Sequence, residues 1–125
     1  MTTLYYPILH LDDNDFQGDK LVLPDNLQNQ KNVVVMLQTS WCPHCTNAKP
    51  AFQSFAEQNQ DRILCATIQA DGDTEDEKKL GKRIKQIVPD FQGFPDYCLF
   101  VNGKLDKSKK IKKRDIQGLV EFANL

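Results

Sequence analysis

The chain has 125 residues, a length that suggests one domain, and its 16 Lys and Arg against 17 Asp and Glu leave a formal net charge of −1. That balance argues against wholesale coating of nucleic acid. A hydrophobic fraction of 40% and a charged fraction of 26% are those of an ordinary globular domain, long enough to bury a core without disulfide staples. The longest aliphatic run, Val33-Val34-Val35-Met36-Leu37, falls far short of the ~20 apolar residues that span a bilayer. The N-terminal Met1-Thr2-Thr3-Leu4-Tyr5-Tyr6-Pro7 has no basic stretch followed by an apolar one, so no signal peptide is expected and the default compartment is cytoplasmic.

In chain order, Ile8-Leu9-His10-Leu11 predicts a short strand and Asp12-Asp13-Asn14-Asp15 an acidic turn. Residues 16–32 have no clear period, and Pro24 argues against a helix through them. An irregular connection is expected there, with one helical turn at 25–29. The continuous, β-branched run at 33–37 reads as a strand buried on both faces. Beyond it, Cys45, Ala48, Phe52, Phe55 and Ala56 recur at near-helical spacing and predict a helix over 43–58. Pro43 suits its first turn, where no N–H partner is needed, and Pro50 is expected to kink it. Residues 63–70 read as a second buried strand. Thr74-Glu75-Asp76-Glu77 is a capping-box pattern opening a helix that carries Leu80, Ile84 and Ile87 on one face until Pro89 stops it. Residues 97–101 read as a third buried strand. Asn102-Gly103 signals a hairpin, from which 104–114 should return as an edge strand. Asp115 caps a last helix with Ile116, Leu119, Val120 and Ala123 on its apolar face. Alternating strands and helices imply an α/β fold with a mostly parallel sheet, to which the hairpin adds an antiparallel edge.

Four cysteines stand at Cys42, Cys45, Cys65 and Cys98. In such a chain, chemistry or metal explains them better than structural bridges. Zinc would want a second Cys or His pair at compact spacing; none exists, and no metal is expected. Cys65 and Cys98 read as buried core thiols, with a regulatory disulfide between them as the alternative. Cys42 lies between a buried strand and a helix N-terminus. Unpaired N–H groups and the helix dipole stabilise a thiolate there. Pro43 fixes the first turn, and a charged His44 beside the sulfur favours the thiolate further. An exposed thiol of this kind, with a partner three residues on, is what thiol–disulfide exchange requires. Cys42 would attack and Cys45 would resolve the mixed disulfide. No bound cofactor is needed, because the dithiol carries the electrons.

Over residues 7–125 the chain resembles the thioredoxin superfamily. Trp41-Cys42-Pro43-His44-Cys45 resembles the family's Trp-Cys-x-x-Cys, and Pro50 falls where thioredoxins kink the active-site helix. Gly93-Phe94-Pro95 resembles the segment that carries the cis-proline, and Phe100-Val101-Asn102-Gly103-Lys104 the strand end and hairpin. The resemblance implies the thioredoxin fold, with helices on both faces of the sheet. It implies that Pro95 is cis and faces Cys42, that the Phe94 backbone pairs with an extended substrate peptide, and that Trp41 lies beside the site and contacts substrate.

The sequence also departs from the family. Met36 stands where thioredoxins carry a buried acid, and Thr67 lies nearest their accompanying lysine. Asp96 follows the proline. The Pro43-His44 dipeptide resembles the bacterial DsbA oxidants, without their helical insertion. Reduction potentials run from roughly −270 mV for thioredoxin to −120 mV for DsbA, a span of about 7 kcal/mol. Lowering a thiolate pKa from ~7 to ~3.5 supplies ~4.8 kcal/mol of it. The implied pair is therefore more oxidising than thioredoxin's, and a dedicated oxidant or reductant is expected as partner.

Lys104, Lys107, Lys109, Lys110, Lys112, Lys113 and Arg114, with Asp106, give this segment +6 and leave the rest of the chain −7. The lysines read as protection of an edge strand or as a docking patch for an acidic partner. Without interleaved aromatics they do not form a stacking surface for nucleic acid. The reading is a monomeric oxidoreductase acting on protein thiols and disulfides, away from membranes. The alternative is a binding or adaptor module of the same fold without redox turnover.

Overall fold

A computed structural model describes residues 3–24 and 32–125. The helical turn expected at 25–29 lies outside the described residues.

The elements run β1 (Leu9–His10), a 3-10 turn at Asp13–Asp15, β2 (Phe16–Gln17), β3 (Lys20–Leu21), β4 (Asn32–Gln38), α1 (Pro43–Gln58), β5 (Leu64–Gln69), α2 (Glu75–Lys82), α3 (Ile84–Ile87), β6 (Asp96–Val101), β7 (Lys104–Leu105) and α4 (Ile116–Phe122). The main sheet has the order β1-β5-β4-β6-β7. β5 pairs parallel with both β1 and β4, whereas β6 is antiparallel to β4 and β7 to β6. The fold is the mixed α/β architecture that the alternation of elements and the family resemblance implied.

β4 is central, which explains its unbroken apolar run: both its faces are covered. Val34 and Met36 join Phe52, Phe55 and Leu119 in the core under α1 and α4. Val33, Val35 and Leu37 join Leu80, Ile84, Ile87 and Phe100 in the core on the opposite face. α1 continues through Pro50 and buries Cys45, Ala48, Lys49, Phe52, Phe55 and Ala56.

Three connections differ from the sequence expectation. Residues 16–21 form a two-stranded hairpin, β2–β3, whose Phe16 and Leu21 pack into the second core. Leu21 N–H also donates to the Gly103 carbonyl at 2.9 Å, so long-range contacts hold this segment where local propensity is weak. The helix expected over 75–87 is two helices. Thr74 closes a capping box with Glu77, but Arg83 leaves helical geometry at φ −102° and ψ 7°. From there its guanidinium pairs with Asp13 and donates to the Gly18 carbonyl. The edge strand expected over 104–114 pairs only at Lys104–Leu105. Asn102 and Gly103 take positive φ, 52° and 84°, the pair of left-handed residues that a two-residue hairpin turn requires. The chain then peels away because the Asp106 carboxylate accepts from Ser108 N at 3.0 Å and Ser108 Oγ at 2.6 Å, a local turn that competes with the ladder.

Candidate active site

The end of β4 and the start of α1 meet at Cys42, which is the N-cap of α1 in extended conformation at φ −86° and ψ 113°. Its side chain takes the part that Ser or Asp plays at other N-caps: Cys45 N–H donates to Cys42 Sγ at 3.2 Å. The Cys42 thiol in turn lies 3.7 Å from the Phe94 carbonyl oxygen, to which it donates. This inward turn leaves Cys42 only 4% exposed, where the sequence suggested an open thiol. Pro43 and His44, on the first turn of α1, are exposed. Both cysteines are free thiols.

Phe94–Pro95 is a cis peptide bond, and Pro95 is buried directly before β6. The Trp41 and Phe94 rings meet edge to face at 6.3 Å, and Phe91 and Phe94 at 4.9 Å. Trp41 remains 69% exposed, an apolar surface held open beside Cys42. The structure thus brings Trp41, Cys42, Pro43, His44, Cys45, Phe94 and Pro95 into one neighbourhood.

Cys45 is completely buried. Burial pushes its pKa up to about 11; the hydrogen bond and charge of Cys42 push the same way, while a Thr39 backbone hydrogen bond and the charge of Lys49 oppose them. Below α1, Met36, Thr67 and Tyr97 lie abreast in the register of β4, β5 and β6. Met36 is therefore packed in the core where an acid was missed, and Thr67 Oγ1 donates to the Met36 carbonyl at 2.8 Å. Sequence reasoning passed over Lys49, which is 2% exposed. Its signal was its spacing, four residues after Cys45 and three before Phe52 on the apolar face of α1. It also passed over Asp71, whose carboxylate accepts from Ser40 N at 2.9 Å and from Ser40 Oγ. Burial raises the Asp71 pKa, but these hydrogen bonds outweigh it and leave it below the usual value. His10 is exposed, and its Nε2 donates to the Leu4 carbonyl at 2.8 Å.

The other two cysteines take no part in this neighbourhood. Cys65 pairs in register with Val34, and Cys98 with Val35, on either side of β4. They belong to the cores on opposite faces. Two strand spacings of roughly 4.8 Å separate them, beyond the ~7 Å that a disulfide spans between Cα atoms, so the alternative bridge fails. Burial pushes Cys65 up to about 12 and raises Cys98 further. Among the described residues, no group of three or more His, Cys, Asp and Glu is arranged to hold a metal ion, and no helix is long and apolar enough to cross a membrane.

A groove of about 790 Å³ begins at this site, with Phe91, Gly93, Pro95 and Asp96 on one wall and Lys107, Lys109 and Lys110 on the other. Lys110 pairs with Asp90 at 2.9 Å.

A thiol pair at a strand-to-helix junction, opposed by a cis-proline loop on this sheet, defines a thioredoxin-fold protein with the Cys pair of a thiol–disulfide oxidoreductase. Residues 10–124 match the family model for thioredoxin, and the chain belongs to that family. It is 38% identical over 127 residues to thioredoxin-like protein 453L of Invertebrate iridescent virus 6, covering 93% of this chain and 91% of the relative. Human ERp44 superposes with a TM-score of 0.71 at 16% identity, over 98% of this chain but only 30% of ERp44. Thioredoxin f of the spinach chloroplast superposes with a TM-score of 0.63 at 16% identity, over 99% of this chain and 96% of that protein. These comparisons correct the cytoplasmic placement expected from the N-terminus: the structures that share the fold include ERp44 and an organellar thioredoxin, and the cytoplasmic reading does not stand.

Proposed function

We propose that this chain is a single-domain, monomeric thiol–disulfide oxidoreductase that exchanges with disulfides and dithiols of other proteins. Cys42 is the nucleophile and Cys45 the resolving thiol. Pro43 fixes the turn between them, and His44 favours the reduced, charged sulfur of Cys42. Trp41, Phe94 and Pro95 receive an extended substrate peptide, which displaces the thiol of Cys42 from the Phe94 carbonyl. The observation that carries this reading is Cys42 at the N-cap of α1, accepting the Cys45 N–H at 3.2 Å while facing the Phe94 carbonyl at 3.7 Å. A donor aimed at the sulfur stabilises its negative charge and so favours the attacking form.

The Pro43-His44 dipeptide supports a pair more oxidising than thioredoxin's, which a dedicated partner reoxidises. An acidic partner segment would run along the groove beside Pro95, under Lys107 and Lys109.

Equilibration in defined glutathione buffers tests the reading. The expected potential lies between about −180 and −120 mV. A value near −270 mV would sink the oxidising character but leave the exchange reaction. Failure to form any reversible Cys42–Cys45 disulfide would sink the enzyme, and the fold would then serve as a binding module. Cys42→Ser should abolish exchange while leaving the fold intact by circular dichroism.

A further inference from the structure

Lys49 is a lysine enclosed in the protein interior, 2% exposed. It shares the buried face of α1 with Cys45, one helical turn earlier. Residues four apart on a helix are neighbours, and helical side chains lean toward the N-terminus. The Lys49 side chain therefore runs back toward the turn that carries Cys45. The sheet under that turn presents Met36, Thr67 and Tyr97.

Lys49 also lines a cleft of about 300 Å³ together with Gln38, Ser40, Gln69, Asp71 and His10. Gln38 is buried there, and its Oε1 has no hydrogen-bond partner in the protein. The cleft has polar walls and many times the roughly 30 Å³ that a water molecule occupies. Enclosing an ammonium costs free energy, and an apolar residue on this helix face would avoid that cost.

We propose that Lys49 is the positioning residue for the resolving step: its ammonium stabilises the Cys45 thiolate. The inference rests on the exchange reaction above and adds a group to it. In the step, Cys45 gives its proton to water. The thiolate attacks Cys42 Sγ in the mixed disulfide. The Cys45–Cys42 bond forms as the Cys42–substrate bond breaks, and the substrate sulfur leaves with the electron pair as the reduced product.

The state of Cys42 explains why a cation matters at this step. Burial holds the proton on Cys45, and so do the hydrogen bond and charge of Cys42. Both Cys42 effects vanish when Cys42 is bonded to a substrate sulfur. Burial is then opposed by the Thr39 backbone and by Lys49. The other titratable groups facing this region are Cys42 itself, Tyr97 from β6, His10 from β1, Asp71 and Asp73 after β5, and Glu77 from α2.

The test loads Cys42 of the full chain with a chromogenic thiol as a mixed disulfide and follows its release from pH 5 to 10. Lys49→Met should release about tenfold more slowly at pH 7 and move the midpoint of the profile up by about one unit. Lys49→Arg should restore the profile. Identical profiles for wild type and Lys49→Met overturn the inference alone. If wild type forms no mixed disulfide at Cys42, the exchange reading fails and the inference with it. A second measurement alkylates Cys45 without Cys42: its midpoint in Cys42→Ser should lie about one unit below that in Cys42→Ser/Lys49→Met. Equal midpoints in the two variants overturn the assignment.

Discussion

Asp96 follows Pro95 directly and is half-buried at the start of β6. Burial raises its pKa above the usual carboxylate value, against the Tyr97 N–H that donates to its Oδ1 at 2.8 Å and the charges of Lys110 and Arg114. The folded protein therefore holds this proton more tightly than the unfolded chain. The group's contribution to stability is greatest below the unfolded pKa and is lost as pH rises through the folded one. At neutral pH the enclosed charge costs the fold. Asp96→Asn keeps an acceptor for Tyr97 N–H and removes the charge, so its urea midpoint should exceed that of wild type at pH 7. The difference should shrink toward pH 4. A lower midpoint at pH 7 would mean that attraction to Lys110 and Arg114 outweighs burial. At this scale the sequence was legible where one residue's role depends on its immediate neighbours. Cys42 at a helix N-cap is such a case, because the N–H it meets belongs to Cys45. Lys49 was not, because a lysine's burial depends on what the sheet and the N-terminal segment lay over it.

Local patterning gave the strands and helices their places, and long-range contacts changed their ends. β4 and α1 were readable because a continuous apolar run and a helical period each survive any tertiary setting. The β2–β3 hairpin was not, because its two-residue strands are fixed by packing against β7 and the second core. The return from β7 shows the same competition: Asp106 closes its own turn, and the chain to Arg114 crosses toward α4. Gly118 records that crossing. A Cβ built there would collide with the Lys113 carbonyl oxygen, a backbone atom that cannot rotate away. In an exposed helix, Gly→Ala stabilises by about 1 kcal/mol. Here Gly118→Ala should instead destabilise by about 1–3 kcal/mol, the cost of overpacking. A lowered urea midpoint with unchanged helix content in the native baseline is the expected result; a raised midpoint would show that the 106–114 segment yields freely.

For the molecule as a whole, redox state and folding stability are linked through one thermodynamic cycle. If the folded Cys42–Cys45 pair is more oxidising than the same pair in the unfolded chain, the reduced fold must be more stable than the oxidised one, by ~1.4 kcal/mol for each 30 mV. The structure shows what favours the reduced state. Cys42 Sγ accepts the Cys45 N–H at 3.2 Å, and Cys45 is kept as a thiol by burial. A disulfide between them gives up a free Cys42 sulfur as acceptor for that N–H. These effects act against the usual gain from cross-linking the unfolded chain, which is small for a loop this short. Urea titrations with and without reductant should therefore place the reduced midpoint above the oxidised one. The gap should match the potential from the glutathione equilibration, since both measurements close the same cycle. An oxidised form that is the more stable of the two would make the pair a reductant, and the Pro43-His44 dipeptide would then be overruled by the surroundings of Cys45.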